Sequence, residues 1–306
     1  MLLVFLGLIM LISGLGGPDP APAPAGAPGT AAPAAAPAQV AAPPPRPELP
    51  RGGYEIFPRH RVVAYYGTPG TARMGVLGSG PPEEVADRLD AAAAPFASPG
   101  KEVQPAMELI VHVADGAPGP DGNYSHAIDE AEGWRYLQVA RAHKQLLVID
   151  IQPGSSDFLT TTRPWERLLS EPDVGLALDP EWRMPPGQVP GEQIGTVTAA
   201  EINETSAWLA DIVRRGNLPQ KLFVLHQFTP NMIQQPEQLQ TPPELATVQH
   251  VDGFGGQPDK IAKYTQLVRP GHLLHGFKLF YTQDTPTLTP AQTLGLNPVP
   301  DFVTYQ

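Results

Sequence analysis

The chain of 306 residues contains no cysteine. That excludes a disulfide framework, a thiol nucleophile and a lipid-modified cysteine behind a leader. Basic clusters are also missing. Lys and Arg number 20 against 31 Asp and Glu, for a net charge of −11, and no helix face concentrates the cations. A nucleic-acid or anionic-lipid surface is thereby excluded, and the surplus acid serves solubility. No G-x-G-x-x-G follows the first candidate strand, which argues against a dinucleotide site, and no G-x-S-x-G elbow marks a serine hydrolase. The eight histidines form neither H-x-H nor H-E-x-x-H. A mononuclear metal site would have to be assembled from His112, His226 and an acid such as Asp252; hydrogen-bonded neutral imidazoles are the simpler state. No cofactor and no metal are expected.

Other residues are in excess. A dozen of the 39 prolines fall between residues 18 and 50, interleaved with alanine and glycine. Proline removes backbone donors and the stretch has no apolar period, so residues 18–53 are expected to form an extended spacer without a core. Before it, residues 2–12 (LLVFLGLIMLI) are wholly apolar. The run falls short of the ~20 residues that span a bilayer and suits a signal or anchor segment over residues 1–17, although no Lys or Arg precedes it. The expected location is outside the cytoplasm, secreted or held at the outer face of the cytoplasmic membrane, with membrane contact only through that segment.

The remainder, residues 54–306, is about the length of one (β/α)8 domain. Eight short runs rich in Val, Leu, Ile and Phe punctuate it: 61–67, 107–115, 146–152, 174–182, 221–228, 245–253, 275–283 and 301–306. They are nearly continuous in apolar character, as strands buried on both faces should be. Segments with helical spacing separate them, at 81–96, 127–145, 199–217, 257–268 and 289–296. Thr198 with Glu201 reads as a capping box, and Gly216 after Arg214 and Arg215 as a C-cap. Alternation of strand and helix implies a parallel sheet, and eight strands in this length favour closure into a TIM-type barrel over a doubly wound sheet.

The strand ends carry the chemistry. Tyr65-Tyr66, His112 and Asp115, Asp150 and Gln152, Asp179 and Glu181, His226-Gln227, His250 and Asp252, Tyr281 and Gln283, and Tyr305-Gln306 all fall at the C-terminal ends of apolar runs. In this fold that rim carries the active site. Single acids there also serve as helix caps, which is the plainer account of Asp115 or Asp252 taken alone. The segment LDPEW places Asp179 and Glu181 two apart, which on an extended strand puts both on one face, roughly 6–7 Å apart. With Asp150 nearby, repulsion and partial burial would raise at least one carboxyl pKa. A protonated acid beside an ionised one is what glycoside hydrolysis requires. The Pro/Gly-rich stretch 184–195 would overhang the mouth.

This D-x-E at the end of a fourth barrel strand resembles that of the barrel glycoside hydrolase clan with chitinase-type and muramidase-type members. Asp179 and Glu181 match the short pattern, Asp150 stands for an upstream acid and Tyr281 for a late-strand tyrosine. The longer D-x-x-D-x-D-x-E of chitinases is absent, because residues 174–178 read VGLAL. The chain also resembles secreted actinobacterial proteins with Pro/Ala-rich leaders. The clan resemblance implies a glycosidase acting on a cell-envelope or environmental polysaccharide, with Glu181, Asp179 and Asp150 catalytic. Tyr66, Asp115, Gln152, Trp182, His226, Asp252 and Tyr281 would bind the glycan. The alternative is a non-catalytic barrel that binds a glycan or an envelope partner; both readings use the same aromatics, but only catalysis needs acids with split pKa values.

Overall fold

The computed structural model describes residues 45–269, 271 and 273–306, with Gly17, Asp19 and Ala21. The apolar segment and most of the spacer expected before residue 45 lie outside the described residues, as does His272. Among the described residues no helix is long and apolar enough to cross a membrane.

Eight parallel strands form the barrel: β1 His60–Gly67, β2 Glu102–Ala114, β3 Leu146–Ile151, β4 Val174–Leu178, β5 Lys221–Gln227, β6 Leu245–Val251, β7 Leu274–Leu279 and β8 Phe302–Tyr305. Each pairs with its neighbour in sequence. Strand β1 also pairs with β8, Val62 lying opposite Phe302, so the sheet closes on itself and the fold is a (β/α)8 barrel. All eight strands overlap the apolar runs. Helices α1 Pro82–Ala93, α2 Glu130–Ala142, α3 Phe158–Thr162, α4 Glu166–Leu169, α5 Ala199–Gly216, α6 Gln257–Leu267 and α7 Pro290–Leu294 lie between them. The connection from β5 to β6 has no α-helix, only a two-residue strand at Ile233–Gln234 and a 3-10 turn at Pro236–Gln238.

Two local expectations change. Helix α5 is capped by the Thr198 side chain, which accepts from Glu201 N–H. The Glu201 carboxylate does not fold back to complete a box; it accepts from Arg183 and from Phe158 N–H instead. At the other end Gly216 is still helical, and Asn217 takes the left-handed conformation (φ 47°) that ends the helix. Asn tolerates that region because its short amide bonds locally.

The alternating pleat of each strand sorts the apolar residues into two layers. Outward residues such as Val63, Leu109, Ile149, Leu176, Phe223, Phe277 and Val303 pack against Leu89, Leu137, Leu168, Leu209 and Tyr264 of the helices. Inward residues Val62, Ala64, Ala106, Val148, Ala177, Val224, Val248 and Phe302 fill the barrel interior. Leu49, Ile56 and Phe57 join that inner cluster. The folded unit therefore begins at Pro45, earlier than residue 54. Arg46 donates to Leu218 O (2.7 Å) and Arg51 to Val103 O (2.9 Å), fastening residues 45–53 to the strands. Burial of each large apolar side chain contributes about 1.5–3 kcal/mol, which lets the same barrel tolerate a polar layer above.

Candidate active site at the barrel mouth

Two residues beyond the apolar inner layer, the alternation delivers Tyr66, Glu108, Asp150, Asp179, His226, His250, Lys278 and Thr304, all buried. They form a polar storey beneath a cavity of about 540 Å³. Tyr66, Gln152, Asp179, Glu181, Trp182, Asp252 and Lys278 line that cavity, with Phe228, Phe254 and Phe280 as apolar walls.

The hydrogen bonds join into two chains. In the first, Ala114 N–H donates to Gln152 Oε1 (2.9 Å), Gln152 Nε2 to Tyr66 Oη (3.2 Å), and the Tyr66 hydroxyl to Asp150 Oδ2 (2.9 Å). In the second, His226 bridges two carboxyls, Nε2 to Glu108 Oε1 at 2.9 Å and Nδ1 to Asp252 Oδ2 at 2.8 Å. His250 stands edge-on to His226 (5.1 Å between centroids) and meets Thr304 Oγ1 through Nε2 (2.8 Å). Asp150 Oδ1, Asp179 Oδ1 and Asp252 Oδ1 are buried without a hydrogen-bond partner among the described residues.

The ionisation of the storey follows from this. Burial would lower the His226 pKa, yet the charge of Glu108 and the bonds to Asp252 and Glu108 outweigh it, and His226 stays an imidazolium with its pKa well above 6.5. Burial would raise Asp252; the hydrogen bond and charge of His226 reverse that and hold it below the usual carboxylate range. His250 is driven well below 6.5 by burial and by the neighbouring imidazolium, and is neutral. Glu181 moves the other way: burial, then the charge of Asp252, push it up to about 7. Burial lifts Asp150 to about 6, with Glu108 adding and His226 opposing. Asp179 rises well above its ordinary value through burial and the charges of Asp150 and Glu181, against His226. One site thus holds an ionised carboxylate, Asp252, and a carboxylic acid, Glu181, that titrates near neutrality.

The D-x-E segment reaches the site differently from the extended strand expected. Strand β4 ends at Leu178, and Pro180–Trp182 turns as a 3-10 helix. Asp179 keeps the inward register of Ala177, whereas Glu181 is brought to the cavity by the turn. Gly195 N–H donates to Glu181 O at 2.7 Å, and a Cβ at Gly195 would lie 2.5–2.6 Å from the carbonyls of Pro180, Glu181 and Arg183. Only glycine allows that approach.

Other expected residues lie away from the cavity. Asp115 does not line the cavity; it is part-exposed and pairs with His126 (2.7 Å). Tyr281 is 46% exposed and outside the cavity, stacked on Tyr305 at 4.9 Å with its hydroxyl 3.3 Å from that of Tyr65. Residues 184–195 do not wall the cavity either; they are tied back through Met184 N–H to Gly154 O and through Gly195. His112 meets Ser125 Oγ through Nδ1 at 3.5 Å and does not line the cavity. Glu108 and Lys278 were not among the expected site residues. Both are charged residues inside apolar runs, at even spacing from inward neighbours Ala106 and Gly276, and that spacing is the signal that finds them.

No protein-family model and no curated protein matches the chain. Among solved structures, dihydrodipicolinate synthase from Bacillus clausii aligns over 80% of this chain and 67% of its own, at 10% identity and a TM-score of 0.35. A hyperthermophilic endo-β-1,4-glucanase in complex with substrate aligns over 66% and 76%, at 8% identity and a TM-score of 0.31. At such levels the likeness adds nothing about the site.

Proposed function

We propose that the barrel is a glycoside hydrolase that acts outside the cytoplasm on a cell-envelope or environmental polysaccharide, with Glu181 as the general acid. The observation that carries this reading is the split between Glu181, raised to about 7, and Asp252, held ionised by His226, on one cavity. Hydrolysis of a glycosidic bond needs a proton for the departing oxygen and negative charge for the oxocarbenium-like centre. Glu181 supplies the proton, because near neutral pH it is substantially protonated and its pKa matches the task. Asp252 supplies the charge. Its His226 hydrogen bond keeps it ionised while burial favours the neutral form of its neighbours.

In this scheme Asp179, driven toward its neutral form by burial, donates a hydrogen bond to a sugar hydroxyl, while Asp150 below the cavity anchors the Tyr66 hydroxyl. Trp182, Phe228, Phe254 and Phe280 offer faces and edges on which apolar sugar faces can lie. The apolar segment 1–17 would export or anchor the protein and the Pro/Ala-rich spacer would give the barrel reach.

The test is a glycan-release screen with peptidoglycan, chitin oligosaccharides and actinobacterial envelope polysaccharides, comparing native protein with Glu181→Gln. We expect product from the native protein and a loss of about 10²–10⁴ in kcat/KM in the variant. An unchanged rate in the variant would overturn the role of Glu181. Binding without product from any substrate would make this a glycan-binding barrel.

A further inference from the structure

Three cations line the cavity: Arg73 from the loop after β1, Lys263 from α6 and Lys278 from β7. Lys278 is the unusual one. It is 3% exposed, on the inward face of β7, yet among the described residues its Nζ makes no ion pair and no hydrogen bond. Its close contact is the ring of Tyr66, 3.5 Å from Nζ to the centroid. The carboxyls that could have paired with it are engaged elsewhere: Glu108 and Asp252 with His226, Asp150 with Tyr66, Asp284 with Lys260. Buried cations are costly unless compensated. Ten of the 17 other Lys and Arg residues illustrate the usual outcome, Arg51, Arg59, Lys101, Arg141 and Arg183 among them, each meeting an acid.

Lys263 and Arg73 repeat the pattern at the rim. Neither meets a carboxylate among the described residues, and Lys263 lies over the Phe228 ring at 5.4 Å. The residue after Asp252 makes room for it: a Cβ at Gly253 would fall 2.4 Å from Lys263 Nζ. In a protein of net charge −11, the cavity at the barrel mouth is therefore edged by three cations without an ion pair among the described residues.

Among the described residues no acid of the same cavity forms an ion pair with any of the three. Burial drives Asp179 and Glu181 toward their neutral forms, and Asp252 is hydrogen-bonded to the His226 imidazolium that it shares with Glu108. Lys278 thus stands on the cavity lining with two further cations, Arg73 and Lys263.

We infer that the cavity takes an acidic glycan, one whose sugar units bear carboxylates, with Lys278 receiving a carboxylate at the base of the cavity and Lys263 and Arg73 drawing the neighbouring units. This rests on the glycosidase reading and names its substrate class. A neutral glycan would leave Lys278 buried and unpaired in the complex, a penalty that a carboxylate removes. The cation–π contact holds Lys278 in place in the absence of that anion.

The test uses the full-length Glu181→Gln protein, so that binding is read without turnover. Isothermal titration is run with hexuronate oligosaccharides of galacturonic, glucuronic and mannuronic type, with their carboxyl-reduced neutral counterparts, and with chitin oligosaccharides. The expected result is binding of at least one acidic oligosaccharide, with roughly tenfold or greater weakening on carboxyl reduction, as for loss of a charged hydrogen bond. Lys278→Met on the same background should weaken the acidic ligand by a similar factor and leave the reduced one unaffected. Lys263→Gln, at a half-exposed position where folding is not at stake, should give a smaller loss that fades as salt is raised. Equal binding of acidic and reduced ligands, or binding of chitin oligosaccharides but no acidic one, would overturn the inference. So would an absence of binding to every acidic oligosaccharide. A neutral ligand hydrolysed by the native protein would sink the acidic-substrate claim while leaving the glycosidase intact; acidic binding without any turnover would do the reverse.

Discussion

At the residue scale the behaviour of the site turns on which carboxyls hold protons. Glu181 is raised from 4.5 to about 7 by burial first and by Asp252 second. A folded state with the higher pKa binds the proton more tightly than the unfolded chain. The stability this proton lends is therefore full below about pH 4.5 and is lost as pH rises through 7. Replacing Glu181 by Gln removes that loss. We expect Glu181→Gln to be more stable than the native protein at pH 8 by on the order of 1–2 kcal/mol, with the gap closing toward pH 4.5. Denaturant unfolding at the two pH values checks it; a variant less stable at pH 8 would contradict the assignment. Activity should fall on the alkaline side near pH 7 for the same reason. The acids and aromatics of this layer were legible one by one at the ends of apolar runs. Their ionisation was not, because it depends on His226 standing between Glu108 and Asp252, residues on β2, on β5 and just past the end of β6 that the closed barrel brings together.

At the element scale, the strands and their order were legible because a sheet buried on both faces leaves continuous apolar runs. The ends of the strands were less so. LDPEW reads as a continuation of β4, but Pro180 cannot extend a ladder and starts a turn, so Glu181 arrives at the cavity by a route the two-residue spacing does not describe. Lys278 is not legible from strand-end polarity because it lies inside the apolar run 275–283, before its polar end at Tyr281 and Gln283. The loops after β6 and β7 are held by another buried cation. Lys260 Nζ lies 2.9 Å from Asp284 Oδ2 and donates to Gly253 O (2.9 Å) and Lys278 O (2.8 Å), while Asp284 accepts from Gly255 and Phe280 N–H. This one pair fixes the backbone beside Asp252 and beside Lys278. Lys260→Met leaves Asp284 buried without its cation, and such losses cost about 3–5 kcal/mol. A thermal melt should show a large drop in Tm; a drop no greater than that of an average surface substitution would show that the pair does not hold these loops.

At the scale of the whole molecule, the division into leader, spacer and barrel was drawn from composition, and composition draws its boundary where proline thins out. The packing places it elsewhere. Leu49 is buried in the inner cluster, and Arg46 and Arg51 bond to strand and loop carbonyls, although five prolines stand between residues 43 and 50. Proline-rich sequence has no period of its own, but it can still lie as a strap on a surface made elsewhere in the chain. We expect a chain starting at Tyr54 to melt roughly 5–10 °C below one starting at Pro45, since a large buried side chain and several hydrogen bonds are lost. Equal melting temperatures would return residues 45–53 to the spacer.

The glycosidase reading turns on the proton on Glu181. The most direct measurement is a carbon NMR titration of the side-chain carboxyls in protein labelled at Glu and Asp, with Glu181→Gln to assign the signal. The account predicts a glutamate resonance, missing from the variant, that titrates near pH 7, and an Asp252 signal that stays ionised to below the ordinary aspartate range. A Glu181 carboxyl that titrates near 4.5 would contradict the account, since no poised acid would then stand at the barrel mouth.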